Sequence, residues 1–186
     1  MKNFLEALNR PADAYRQQRK VVAWLLVAIT IFIVTILDPI LRSFAEPEYH
    51  IDVFYILRTT LCGIASYLLI SSVLWLICKC FGSKIPLSNY VNTWGISFFP
   101  NIVCSLVVAI TEVYFYVFWN NALVGMILSI VFVGILIWKI TLYVIFLREV
   151  AELQRGKLIG AFILVAAIIV VLAALNGYVG LKTPIL

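Results

Sequence analysis

The sequence predicts an all-α fold, a polytopic membrane bundle of five transmembrane helices. Of its 186 residues 64% are hydrophobic and 12% are charged, and the mean hydropathy is +1.07. A soluble domain is about half apolar and about a quarter charged. The apolar residues also form long unbroken runs without the period-two alternation of barrel strands. In lipid such runs must be helices, because only helices satisfy the backbone hydrogen bonds within one segment.

Five apolar runs are long enough to cross a hydrocarbon core of about 30 Å, which takes about 20 helical residues. These predicted spans are Val21–Leu37, Thr59–Cys78, Trp94–Val117, Ala122–Phe146 and Leu158–Leu175. No small-residue cleavage site follows the first run, so we expect it to be retained as a span. The third and fourth runs are separated only by a short connection that contains Trp119, Asn120 and Asn121, which predicts a tight antiparallel hairpin. Residues 1–20 are then a basic cytoplasmic segment, and residues 21–186 form the membrane domain.

The distribution of Lys and Arg predicts the orientation, because these residues favour the cytoplasmic side. Ten of them fall on one predicted side, namely Lys2, Arg10, Arg16, Arg19, Lys20, Lys79, Lys84, Arg148, Arg155 and Lys157. The opposite side holds Arg42, Arg58 and Lys182. The sequence therefore predicts a cytoplasmic N-terminus and an exterior C-terminus. Topology also accounts for the net charge of +5, so we expect no nucleic-acid partner.

The segment before the first span has an amphipathic pattern. Phe4, Leu8 and Tyr15 fall on one helical face, and Pro11 is suited to the first turn of a helix. We expect a short helix on the membrane surface. Its predicted contacts with anionic lipid headgroups are Lys2, Arg10, Arg16, Arg19 and Lys20. A solvated basic tail that only enforces the topology is the alternative.

Polar residues within or beside the spans are candidates for function, because charge in lipid is costly. The predicted intramembrane cluster consists of Asp38, Arg58, Asn101 and Glu112. Arg58 would neutralise Asp38 or Glu112 near the outer surface, either to hold helices together or as part of a transport site. Pro100 predicts a kink in the third span, because proline lacks the backbone donor. Such a break serves packing or, in transporters, a binding site.

The sequence offers no chemistry typical of an enzyme. It contains no nucleophile–base pair, no set of metal ligands with a familiar spacing and no phosphate-binding glycine loop. The four cysteines lie in or beside apolar runs, where a free thiol behaves as a small hydrophobic group. The single histidine, His50, lies in a polar loop. We therefore expect no catalytic residue, no metal and no cofactor.

Three stretches resemble the prokaryotic members of the Yip-domain family, membrane proteins named for binding Ypt/Rab GTPases in eukaryotes. They are Asn9–Tyr15, with its Asn-Arg-Pro-Ala-Asp-Ala-Tyr sequence, Leu74–Pro100, with Phe-Gly-Ser-Lys and Trp-Gly-Ile-Ser-Phe-Phe-Pro, and Leu147–Lys157. The resemblance implies a cytoplasmic N-terminus, five spans and a short exoplasmic C-terminus. The short N-terminal region argues against a Rab-type GTPase partner. It favours the cytoplasmic membrane of a bacterium or archaeon.

Two functional hypotheses follow. The first is a non-enzymatic Yip-like membrane protein that acts through membrane organisation, with membrane lipids and a protein at the cytoplasmic face as partners. The second is a small transporter or channel component that uses the polar groups of the third span. A transporter would require a homo-oligomer, because five spans enclose little space alone.

Overall fold

A computed structural model describes residues 9–45, 48, 50, 52–113 and 120–179, and these residues contain helices and no strand. In chain order the elements are α1 (Pro11–Arg16), α2 (Lys20–Phe32), a π-helical turn (Ile33–Leu37), α3 (Asp38–Ala45), α4 (Val53–Cys80), α5 (Leu87–Thr93), a 3-10 helix (Trp94–Phe98), α6 (Phe99–Val113), α7 (Ala122–Glu149) and α8 (Arg155–Val179). The predicted all-α class is confirmed for this part of the chain.

Several of these helices are long and apolar enough to cross a membrane. Within the described ranges, four segments meet this condition, namely Lys20–Phe44, Val53–Cys80, Leu87–Thr111 and Ala122–Glu149. The chain is thus a multi-pass membrane protein. Helix α8 adds 25 residues of mostly apolar sequence, but the five-span count and the orientation stay predictions.

The long helices begin where polar side chains satisfy free backbone donors. Asp52 accepts a hydrogen bond from the Phe54 amide at 2.9 Å, at the start of α4. Asn121 accepts from the Leu123 and Val124 amides at 3.0 and 3.4 Å, at the start of α7. The first four N–H groups of a helix have no partner within it, so these caps fix both helix starts.

The best-packed part of the bundle lies at one end, which we call the connector end. Here α1 lies beside the end of α7, α4 gives way to α5, and α8 begins. Helix α2 packs against the 3-10 helix, which in turn contacts α5, α6 and α7. At the opposite end, where α4 and α7 begin, many large apolar side chains are exposed. The connector end therefore holds most of the protein core.

Candidate interaction surface at the connector end

The connector end brings together three segments that are far apart in the sequence. Tyr15 of α1 packs edge-on against Phe146 of α7, with ring centroids 5.6 Å apart. Tyr90 of α5 meets the same ring at 5.5 Å. Trp94 of the 3-10 helix meets it at 4.8 Å. Residues 9–15, 74–100 and 147–157 thus meet around Phe146, whose side chain is fully buried. Such ring pairs stabilise beyond their buried area, by about 0.5–1.5 kcal/mol each.

A tyrosine hydroxyl is inserted into the backbone where α5 gives way to the 3-10 helix. Tyr67 of α4 donates to the Val91 carbonyl oxygen at 2.6 Å and accepts from the Gly95 amide at 3.1 Å. A continuous α-helix would join these two backbone groups directly, since its bonds run from residue i to residue i−4. An inserted side chain is a known cause of such interruptions. Tyr67 therefore couples α4 to the beginning of the third candidate span.

Gly95 allows the closest approach between helices at this site. A Cβ atom at this position would lie 2.3 Å from the Ala23 carbonyl oxygen and 2.9 Å from Cγ2 of Val27. The backbone of α2 cannot yield as a flexible side chain could. Trp24 of α2 also donates from its indole nitrogen to Oδ1 of Asn92 at 3.1 Å. The backbone of α2, in the first span, therefore packs directly against Gly95, which has no side chain.

The α4–α5 turn is held by side-chain hydrogen bonds. Gly82 has a φ of +93°, a conformation that residues with a side chain rarely adopt. Trp75 donates from its indole nitrogen to the Ile85 carbonyl oxygen at 3.1 Å. Ser83 and Tyr90 share a hydrogen bond of 3.1 Å between their hydroxyl groups. These contacts give the turn a defined shape on the surface.

The α7–α8 connection is also ordered by its own contacts. The Leu153 amide donates to the Leu147 carbonyl oxygen at 3.1 Å. Ala151 and Leu153 are buried, while Glu152 and Gln154 are exposed. Glu152 and Arg155 adopt left-handed φ values of 55° and 51°. Non-glycine residues in this region cost energy and tend to lie in segments that the surrounding structure holds in place. The connection therefore presents a fixed set of polar side chains.

The surface of the connector end is predominantly basic. Its exposed basic residues are Arg10, Arg16, Lys20, Lys79, Lys84, Arg148, Arg155 and Lys157. Arg16 pairs with Oε2 of Glu149 at 2.5 Å, and this hydrogen-bonded carboxylate raises the pKa of the Arg16 guanidinium. Glu152 is an exposed acid in the same region. The excess of basic residues leaves a surface that attracts anions.

Tyr15 places a buried polar group beneath this surface. Its side chain is 1% exposed, and burial raises the pKa of its hydroxyl well above 10.0, with nearby Tyr143 and Tyr67 adding to the effect. The hydroxyl lies beside Ser97, whose own hydroxyl donates to the Trp94 carbonyl oxygen at 2.7 Å. Among the described residues the Tyr15 hydroxyl has no hydrogen-bond partner. The Tyr15 ring thus attaches α1 to the bundle by packing, alongside the Arg16–Glu149 ion pair.

Comparison with known proteins identifies the family. A family model described as the Yip1 domain matches residues 5–175. The chain belongs to the Yip1 domain family. Searches of curated proteins and of solved structures return no match. The Yip1 domain match includes all three segments that meet at the connector end, and it agrees with the resemblance drawn from the sequence.

The polar cluster predicted within the membrane is described only in part. The side chains of Asp38 and Glu112 lie outside those described. Arg58 is exposed in the second turn of α4, near the end opposite the connector end. Asn101 is buried in the first turn of α6, and Pro100 precedes it. Counted along the helices from the connector end, Arg58 and Asn101 differ in depth by roughly 10 Å, and the cluster stays a prediction.

The break predicted at Pro100 has a counterpart just before it. The backbone changes from α-helix to 3-10 helix at Trp94–Phe98, and α6 then begins at Phe99. Pro100 is therefore the second residue of a helix, a position that tolerates a missing backbone donor. The inserted Tyr67 hydroxyl lies at this change of geometry.

The basic residues predicted to contact lipid headgroups are placed as follows. Lys2 lies outside the described residues. Arg10 and Lys20 are exposed, Arg16 pairs with Glu149, and Arg19 is half-buried and donates to Oε1 of Gln17 at 2.9 Å. Their contact with lipid stays a prediction.

Sequence reasoning missed the residues at the centre of the connector end. Tyr67 and Phe146 lie inside apolar runs, where one more aromatic residue carries no signal of its own. The three family-like stretches did identify the parts of the chain that form the connector end. The sequence did not show that these stretches contact one another. Within the part of the chain that the structure describes, no three His, Cys, Asp or Glu side chains are grouped to hold a metal ion.

Proposed function

We propose that this Yip1 domain protein is a non-enzymatic, five-span protein of a prokaryotic cytoplasmic membrane. Its connector end lies in the cytoplasm and binds a protein partner and anionic lipid headgroups. The observation that supports this function is the convergence of three family-like segments into one ordered, basic surface. Basic residues beside a membrane attract anionic lipids, by about 1 kcal/mol for each Lys or Arg near the surface.

The orientation can be tested with cysteine labelling. Cys80 is a free and exposed cysteine at the connector end, and Asn120 is exposed at the opposite end. In intact cells a membrane-impermeant maleimide should label N120C in a C80S background, and should leave Cys80 of the wild type unlabelled until the cells are opened. Labelling of Cys80 alone in intact cells would reverse the proposed topology.

The proposed partner-binding surface at the connector end can be tested with photo-cross-linkers placed at exposed sites. Gln154 in the α7–α8 connection and Ser88 in α5 are exposed at the connector end, and Asn120 serves as the matched site at the other end. We expect one discrete protein adduct shared by the two connector-end sites and absent from Asn120. Equal adducts at all three sites would contradict a dedicated partner surface.

The lipid part of the proposal has its own test. A peptide of residues 1–20 should float with vesicles of phosphatidylglycerol and phosphatidylcholine, and much less with phosphatidylcholine alone. A matched peptide with its Lys and Arg residues changed to Gln is the control. Binding that ignores the anionic lipid content would remove this segment from the proposed surface.

A further inference from the structure

A narrow apolar crevice lies between α4 and α8. Its lining is entirely aliphatic and includes Ile70, Val73, Leu74, Ile77, Ile168 and Ile169. Val73, Ile168 and Ile169 are half-buried, so the crevice opens to the surroundings of the bundle. A purely apolar cavity does not hold water, because water needs several polar partners. In a bilayer, the available apolar molecule is a lipid chain.

The depth of the crevice fits the acyl region of a lipid. At the connector end α4 and α8 are in close contact where the Phe81 ring packs against Gly160. A Cβ on Gly160 would lie 2.8 Å from this ring. Ile77 and Ile70 lie four and eleven residues before Phe81 in the chain. At 1.5 Å per residue, the crevice extends from roughly 6 to roughly 16 Å below that contact.

Basic groups lie directly above the crevice. Lys157 lies at the start of α8, on the helical face that also carries Ala161 and Val165. Residues four positions apart share one face of a helix, so this face leads from Lys157 to the crevice. Its Nζ lies 3.3 Å from the position a Cβ of Gly82 would occupy, so it reaches across to the α4–α5 turn. Lys84 is two residues further along this turn and is exposed. Neither lysine forms an ion pair with any described residue.

We propose that the crevice is a binding site for one anionic phospholipid of the surrounding bilayer. An acyl chain lies between α4 and α8, and the phosphate lies against Lys157 and Lys84 beside the Phe81–Gly160 contact. Glu152 offsets part of the local charge, which still favours an anion. This site is separate from the N-terminal headgroup contacts proposed above and does not depend on them.

The test uses the full-length protein, purified in a mild detergent, depleted of lipid and titrated with phosphatidylglycerol or phosphatidylcholine. Native mass spectrometry counts the bound lipids. We expect one phosphatidylglycerol bound more tightly than phosphatidylcholine. The double variant K84Q/K157Q should weaken that binding about tenfold or more, and Ile168→Phe should weaken binding by filling the crevice.

Two matched variants separate this site from other sources of lipid binding. R10Q/K20Q removes the same charge elsewhere at the connector end, and Ile163→Phe makes the same change at an exposed position of α8. Ile163→Phe should bind phosphatidylglycerol as the wild type does. R10Q/K20Q should lose at most the weaker binding proposed above for the N-terminal segment, and should keep the one tightly bound phosphatidylglycerol. The proposal is overturned if R10Q/K20Q alone loses the lipid, or if K84Q/K157Q and Ile168→Phe both retain it. A dimer that Ile168→Phe dissociates would also overturn it, by assigning the crevice to a second copy of the chain.

Discussion

The two halves of α7 have similar apolar sequences and opposite surroundings. In the first half Leu123, Met126, Ile127, Ile130 and Val133 are exposed. In the second half Leu142, Tyr143, Phe146 and Leu147 are buried. In an apolar stretch of 18 residues within this span 28% are buried, against 56% in a stretch of the same length within Leu87–Thr111. In a membrane, apolar character alone does not decide which residues meet, because lipid is as apolar as leucine. Shape and hydrogen bonding decide it.

The largest loss of stability is expected from a substitution at the centre of the buried half of α7. Phe146→Ala should destabilise the fold by about 3–5 kcal/mol, because it removes a fully buried ring that contacts Tyr15, Tyr90 and Trp94. Unfolding in mixed micelles of a mild detergent and SDS would measure the change. Ile130→Ala, in the exposed half of the same helix, is the control and should change the stability by much less. Equal losses at the two positions would remove the contrast between the halves.

Glycine substitutions test the same contrast through close packing. Gly95→Ala would place a Cβ against the Ala23 carbonyl oxygen, and overpacking of this kind costs about 1–3 kcal/mol. Gly134→Ala, in the exposed half of α7, meets nothing within 4 Å and should be neutral or slightly stabilising, because alanine favours helix. The apparent Tm of the two variants in detergent is the measurement. A stable Gly95→Ala protein would show that α2 does not approach as closely as described.

Removing a tyrosine hydroxyl should have different effects at two buried positions. Tyr67→Phe leaves the Val91 carbonyl and the Gly95 amide without their shared partner, and an unsatisfied buried group costs about 1–3 kcal/mol. Tyr15→Phe removes a hydroxyl that has no partner among the described residues, so it should leave the stability unchanged or raise it slightly. Hydrogen exchange at residues 91–98 should increase in the first variant alone. If both variants behaved alike, the inserted hydroxyl would not be holding the interruption.

The smallest effect is expected at alkaline pH. Since the pKa of Tyr15 is higher in the folded state than the value of about 10 in the unfolded chain, the unfolded state loses its proton first. The folded state is therefore fully favoured below pH 10 and loses stability as the pH rises above it. Stability measured from pH 8 to pH 11 should fall less in Tyr15→Phe than in the wild type. Parallel curves would contradict the burial of this hydroxyl.

The fold class could be predicted from the sequence because long apolar runs leave few alternatives. Helix α7 begins at Ala122, as predicted, and α4 ends at Cys80, two residues after the predicted Cys78. The third span begins at Leu87 instead of Trp94, because Asn89, Asn92 and Thr93 lower the hydropathy of this part. The sequence alone does not show that Trp24 bonds to Asn92 at 3.1 Å. Polar residues that find partners can enter a span, and only the tertiary structure shows the partner.

The first span and the connector end also show features that the sequence alone could not predict. We expected the first span to end at Leu37, because the charged residue Asp38 follows it. The helix instead restarts at Asp38, where Pro39 in the first turn is tolerated. Lys and Arg predicted which segments share one side of the membrane. Contacts such as Tyr15 with Phe146 depend on residues 131 positions apart in the chain, and no local pattern encodes them.

The Tyr67 hydroxyl has a consequence for how the protein is assembled in the membrane. A span with an interrupted backbone is poorly suited to lipid by itself, since free N–H and C=O groups in hydrocarbon each cost several kcal/mol. Residues 91–95 obtain their bridging group from the preceding span. The two segments are joined by the short turn at residues 81–86, so the partner is nearby as soon as synthesis reaches Gly95. The second and third spans should therefore leave the insertion machinery as a pair, with Tyr67 already in place.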